Sequence, residues 1–136
     1  MTDRALSTQI KSALTGSGVI LFEHYIAAAL TAAALKWEWI VPVNCVIRDV
    51  LCDSETAGSG GVSDIIDVNR NGTTIFTTQA NRPTLLVGDT GAFTKAGDPE
   101  IRKLKAGDIL SFDVDQIATT GSDRFKICIV CVPAGY

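Results

Sequence analysis

Asp113 and Asp115 stand two residues apart, and two carboxylates on one strand face can bind calcium or do acid–base work. Asp49, Asp53, Asp64 and Asp67 lie elsewhere in the chain. Neither EF-hand spacing nor a Gly-bracketed Asp ladder is present, so the pair reads as a solvated strand face. Cys128 and Cys131 match C-x-x-C by letter. They fall within residues 125–132, which read as a strand, where residues three apart face opposite ways. The thiols are therefore expected to diverge, which suits neither zinc nor a redox dithiol. Cys45 and Cys52, an odd seven apart, are expected to diverge as well if one strand holds both. All four read as small buried hydrophobes. His24, the single histidine, sits in an apolar run with no GxSxG nearby and reads as structural. The glycine-rich stretch 53–63 lacks the Lys-Ser/Thr pair of a phosphate loop. The sequence thus assigns no catalytic, cofactor-binding or metal-binding residue and predicts a non-enzyme.

The elements that would carry these groups are short and β-like. Residues 65–68, the turn Asn69-Arg70-Asn71-Gly72 and residues 73–78 read as a hairpin, because Asn and Gly tolerate positive φ cheaply. Asn81-Arg82-Pro83 breaks that run, since proline offers no N–H to a ladder. Residues 43–52 form a further run, with Val43, Cys45 and Ile47 sharing a face. Leu110, Phe112 and Val114 point to the core while Ser111, Asp113 and Asp115 point away. Residues 125–132, apolar on both faces except Lys126, suit a central strand. Residues 19–41 read as two antiparallel strands joined near Leu30 to Ala33, with a helix over 22–36 as the alternative that alanine content favours. Short strands between Gly, Asn and Pro turns predict an all-β domain over 19–136, a β-sandwich or barrel. Residues 1–18 read as an N-terminal arm or short helix.

The chain has 136 residues, enough for one core. It is 46% hydrophobic and only 20% charged. That balance leaves more apolar surface than a small domain readily hides, so self-association or docking onto an assembly is expected. A net charge of -3, with Arg70, Arg82 and Arg102 scattered, argues against a nucleic-acid partner. No uninterrupted apolar run is long enough for a membrane span, and the polar start does not read as a signal peptide. Trp37 and Trp39 could stack on sugar rings if exposed; on one face with Leu35 and Val41 they read as core or subunit interface. Leu6, Ile10 and Leu14, with Arg4 and Lys11, make the arm a candidate contact with a neighbouring subunit or shell, and Phe93 is either a loop anchor or an exposed contact.

Taken together, residues 37–50, the Gly-rich loop, residues 67–86 and residues 104–117 followed by an apolar strand resemble small jelly-roll domains of tailed-phage virion proteins. Such domains recur in capsid decoration (cement) proteins and in tail-fibre or receptor-binding tips. The matching pattern is a Pro-interrupted apolar strand pair, Asp-Val-x-x-Asn-Gly-Thr-x-Ile-Phe, x-Arg-Pro and Gly-Asp-x-Leu/Ile, covering residues 35–132. The resemblance implies a jelly-roll-like sandwich that trimerises and sits on a capsid surface. Assembled in the host cytoplasm, it would lock major capsid protein subunits together. It carries over no catalytic residue and no cofactor. The chain has no long shaft, which favours decoration over a fibre.

Overall fold

The computed structural model describes residues 18–88, 94–95 and 97–134. Among them ten strands follow in order: β1 (Ile20–Ile26), β2 (Ala33–Ile40), β3 (Cys45–Thr56), β4 (Asp64–Arg70), β5 (Thr73–Thr74), β6 (Thr84–Leu85), β7 (Thr94–Lys95), β8 (Lys103–Leu104), β9 (Ile109–Gln116) and β10 (Asp123–Pro133). One sheet runs β1-β10-β3-β7, with β8 also on β3; the other runs β2-β9-β4-β5, with β6 also on β4. Every pairing is antiparallel. The pairs nest, β1 with β10, β2 with β9, β3 with β8 and β4 with β6, and this winding makes a jelly-roll-like β-sandwich.

The core fills the space between the two inner faces. Phe22 from β1, Ile47, Val50 and Cys52 from β3, Ile66 and Val68 from β4, Leu110, Phe112 and Val114 from β9, and Phe125, Ile127 and Ile129 from β10 are all buried. The period of two in β9 and β10 follows the sequence expectation, and β10 is central as its two apolar faces required. The hairpin turn is also as read: Asn71 (φ 51) and Gly72 (φ 83) both adopt positive φ, which suits the twist of the flanking strands. The Asn71 side chain receives the N–H of Ile109 at 2.9 Å and donates to Asp108 at 3.1 Å. That contact ties the hairpin to the Gly107-Asp108 turn.

Three expectations are corrected. β1 and β2 are strands, but they do not pair with each other: β1 joins β10 and β2 joins β9 in the other sheet. The connection crosses the end of the sandwich because Leu30 is buried as a plug, its N–H bonded to Ser122 O at 2.8 Å. A Cβ on Gly121 would lie 2.3 Å from Leu30 O, so only glycine lets the two loops close. Cys45 and Cys52 do not diverge; both are buried on the inner face of β3. Ile47 pairs with Cys131 while Asp49 pairs with Val130, so Arg48 is an extra residue, and this bulge resets the alternation. Cys128 and Cys131 do separate, one half-buried and the other fully buried. The run 73–78 holds strand geometry only at Thr73–Thr74. Ile75 and Phe76 turn into the core instead, and Gln79–Asn81 forms a single 3-10 turn over the sheet.

Candidate functional site

Two regions outside the core carry unusual groups. The first is a carboxylate cluster on the outer face of β4 and β9. Asp113 and Asp115 share one face of β9 by the period of two. The ladder places Asp67 of β4 directly opposite Asp113. The three carboxylates bring oxygens within 4.8 Å of one another. This face is solvated only in part, short of what the sequence suggested: Asp115 is exposed, Asp113 is half-buried and Asp67 is 6% exposed. Thr74 lies over it and donates to Asp67 Oδ1 at 2.6 Å, and Arg82 reaches Asp115 Oδ2 at 2.6 Å. Asp113 Oδ2 accepts from Asn69 at 3.1 Å, while its buried Oδ1 meets no donor.

Burial, together with the adjacent Asp115 carboxylate, pushes Asp113 up to about 7. Burial likewise raises Asp67, partly offset by the Thr74 hydroxyl. Asp113 is therefore the group that favours holding a proton, and Arg82 supplies a guanidinium beside Asp115. An all-oxygen donor set of this kind suits a hard cation in principle. Here Arg82 and a proton on Asp113 offset two of the three carboxylate charges.

The second region is the open side of the sandwich, where the edge strands β1 and β2 of the two sheets lie side by side. Aromatic rings close the gap between them. His24 stacks on Trp37 with centroids 4.4 Å apart. Trp39 packs on Phe22 at 5.9 Å and on Phe112 at 6.0 Å. The Trp39 indole N–H donates to Glu23 O at 3.3 Å, joining the two edges directly. Burial lowers the His24 pKa, which favours the neutral ring in this stack.

Outside this seam, exposed apolar side chains stand among the exposed carboxylates of Glu23 and Glu38. Val19, Leu21 and Tyr25 flank or belong to β1, and Leu35, Trp37 and Ile40 belong to β2; all are exposed. Among the described residues only Val62, Leu86 and Val87 are further exposed large hydrophobics. Ile40 is 71% exposed, and Trp37 46%, so neither is core.

The predicted contact residues fall into three groups. Trp37 and Trp39 meet at the open seam, one exposed and the other half-buried against the core. Arg4, Leu6, Ile10, Lys11 and Leu14 lie outside the described residues, as does Phe93. His24 forms part of the seam, stacked on Trp37 and 5.9 Å from the Phe112 ring. Sequence reasoning missed Asp67 and Arg82 as partners of Asp113 and Asp115. They are brought together only by the β4–β9 register, for which no local signal exists. It also missed Asp64, which is fully buried and accepts from Ala118 N at 2.7 Å and Ser122 N at 2.8 Å.

No protein-family model matches the chain, and no curated protein matches it. Among solved structures, a chain of the capsid of Ralstonia phage GP4 superposes with a TM-score of 0.59 at 17% identity. The match spans 90% of this chain and 88% of that one. At that identity the likeness establishes the shared fold.

Proposed function

We propose that this chain is a structural protein of a tailed-phage virion, a capsid decoration protein that binds the major capsid protein shell as a homotrimer. The observation that carries the proposal is the end-to-end likeness to a chain of a phage capsid. The apolar residues along β1 and β2 support it, because exposed Leu, Ile, Tyr and Trp on two neighbouring edge strands suit burial against another chain. The role works through buried area rather than catalysis. A trimer engaging several shell subunits at once gains avidity from contacts that are individually weak. Localisation would be the capsid surface, after assembly in the host cytoplasm, with neither nucleic acid nor membrane as partner.

The test combines solution mass by light scattering with co-sedimentation on capsid shells. A mass of three chains and saturable shell binding are expected. A stable monomer that stays in the supernatant would sink the decoration reading. Exposure of Trp37 keeps one competitor alive, a carbohydrate- or receptor-binding tip. Glycan binding abolished by Trp37→Ala, in a chain that ignores shells, would establish that competitor instead.

A further inference from the structure

The outer face of the β1-β10-β3 sheet holds a shallow depression of about 610 Å³. The ladders arrange its floor in two rows across three strands: Tyr25, Lys126, Asp53, and then Glu23, Cys128, Leu51. Glu23 and Asp53 set two carboxylates against the single ammonium of Lys126, a local charge of one minus. That ammonium is directed elsewhere. Asp53 stands opposite Lys126 in the ladder, yet Lys126 Nζ lies 3.9 Å from Glu55 Oε1. Asp53 Oδ1 is buried and meets no donor, which is costly for a carboxylate. The Glu23 carboxylate accepts the Cys128 thiol, a weak donor, at 3.8 Å. Tyr25, 48% exposed, adds an aromatic ring, and Leu51 an aliphatic side chain.

We propose that this depression is the docking pocket for an arginine side chain of a different protein chain. The guanidinium would lie between Glu23 and Asp53, with its methylene stem against Tyr25 and Leu51. Charge complementarity comes first: the depression is one minus, and the Asp53 carboxylate has no donor for its buried oxygen. Spacing comes second. β1 and β3 flank β10, so the two carboxylates rise from strands about 10 Å apart, which leaves room for one planar cation between them. Arginine suits that gap better than lysine, because its fork of N–H donors answers two acceptors at once and is less strongly hydrated than an ammonium. The exposed Tyr25 ring adds a face on which a guanidinium can stack. Continuity comes last: Tyr25 and Leu21, 49% exposed, belong to β1, so the pocket adjoins the β1–β2 side. A different chain is the donor. Arg70, Arg82, Arg102 and Arg124 are each bonded within this chain, and a second copy brings the same net charge of -3. The inference stands whether or not the partner is a capsid shell.

Cys128 on the floor reports occupancy, because the other three cysteines are buried. The probe is the peptide acetyl-Leu-Arg-Leu-amide. Its citrulline counterpart keeps the shape and removes the charge. The arginine peptide should slow maleimide labelling of Cys128 in a saturable way, with Cys128→Ser setting the background. The citrulline peptide on the unaltered chain, and the arginine peptide on Asp53→Asn, should each bind about tenfold more weakly. Lys126→Ala removes the competing ammonium and should tighten binding about threefold, a gain that high salt abolishes. Matching unfolding midpoints exclude misfolding as the cause, and the two-peptide comparison carries the test should Asp53→Asn not fold. Equal binding of the two peptides, or protection by neither, would overturn the proposal. Putrescine protecting as well as the arginine peptide at equal concentration would overturn it too, making the pocket a site for small free amines. So would peptide-free protection that grows with protein concentration, which would seat a second copy in the depression.

Discussion

The β4–β9 face and the β1–β2 side solve opposite problems with the same kind of strand. On β4 and β9 the chain closes over itself. Thr74 and Arg82 lie across the carboxylates, and Asp64 ties the 118–122 loop down with two backbone hydrogen bonds. On β1 and β2 the edges are joined by aromatic rings but leave apolar side chains exposed. Polar groups sealed inside must find partners within the chain, because an unpaired buried polar atom is costly. Apolar groups on an edge carry no such demand and can wait for another surface. The difference separates what holds the fold from what is offered to a partner.

Substitutions should break that contrast in graded steps. The largest stability loss is expected for Asp64→Ala. It strands the amides of Ala118 and Ser122 in the interior, at about 3 kcal/mol by chemical denaturation. A loss under about 0.5 kcal/mol would mean the loop is not held by this carboxylate.

Asp113→Asn should act in the opposite direction and depend on pH. Its carboxyl titrates at about 7 in the fold, above its ordinary value of 3.8, so the folded chain binds the extra proton between those limits. Stability from this group is complete below about pH 4 and falls as pH rises through 7. The amide removes that loss. After discounting for partial exposure, the variant should gain ~1–2 kcal/mol at pH 8 and little at pH 4. Equal effects at both pH values would show that Asp113 is not protonated in the fold.

On the other side the effects on folding should be small and those on association large. Trp37→Ala removes the ring stacked on His24 and should cost about 1 kcal/mol. Ile40→Lys, at a site 71% exposed, should leave stability within about 0.5 kcal/mol. Under the proposed function it should also reduce the solution mass and weaken shell binding. A folded Ile40→Lys chain that assembles and binds as before would move the contact surface off the β1–β2 side.

Much of the architecture was legible in the chain. Alternation marked β9, two apolar faces marked β10 as central, and Asn71-Gly72 marked the hairpin turn, because each depends on the local backbone alone. The limits are equally specific. Alanine content left 22–36 open between helix and strands, and the strands then paired with β10 and β9 rather than with each other. One extra residue at Arg48 reversed the predicted facing of Cys52, since a strand's period of two has no memory across a bulge.

The candidate sites divide in the same way. The sequence by itself determined which residues are apolar, where the chain turns and which strand runs through the middle of a sheet. These follow from side-chain period and backbone freedom within a few residues. Only the tertiary structure decided that Asp67 faces Asp113, that Arg82 answers Asp115, and that Trp37 lies outside while Trp39 packs inward. Those facts depend on the register between distant strands. Register is set by the sum of the packing across both sheets, which no single stretch of sequence contains.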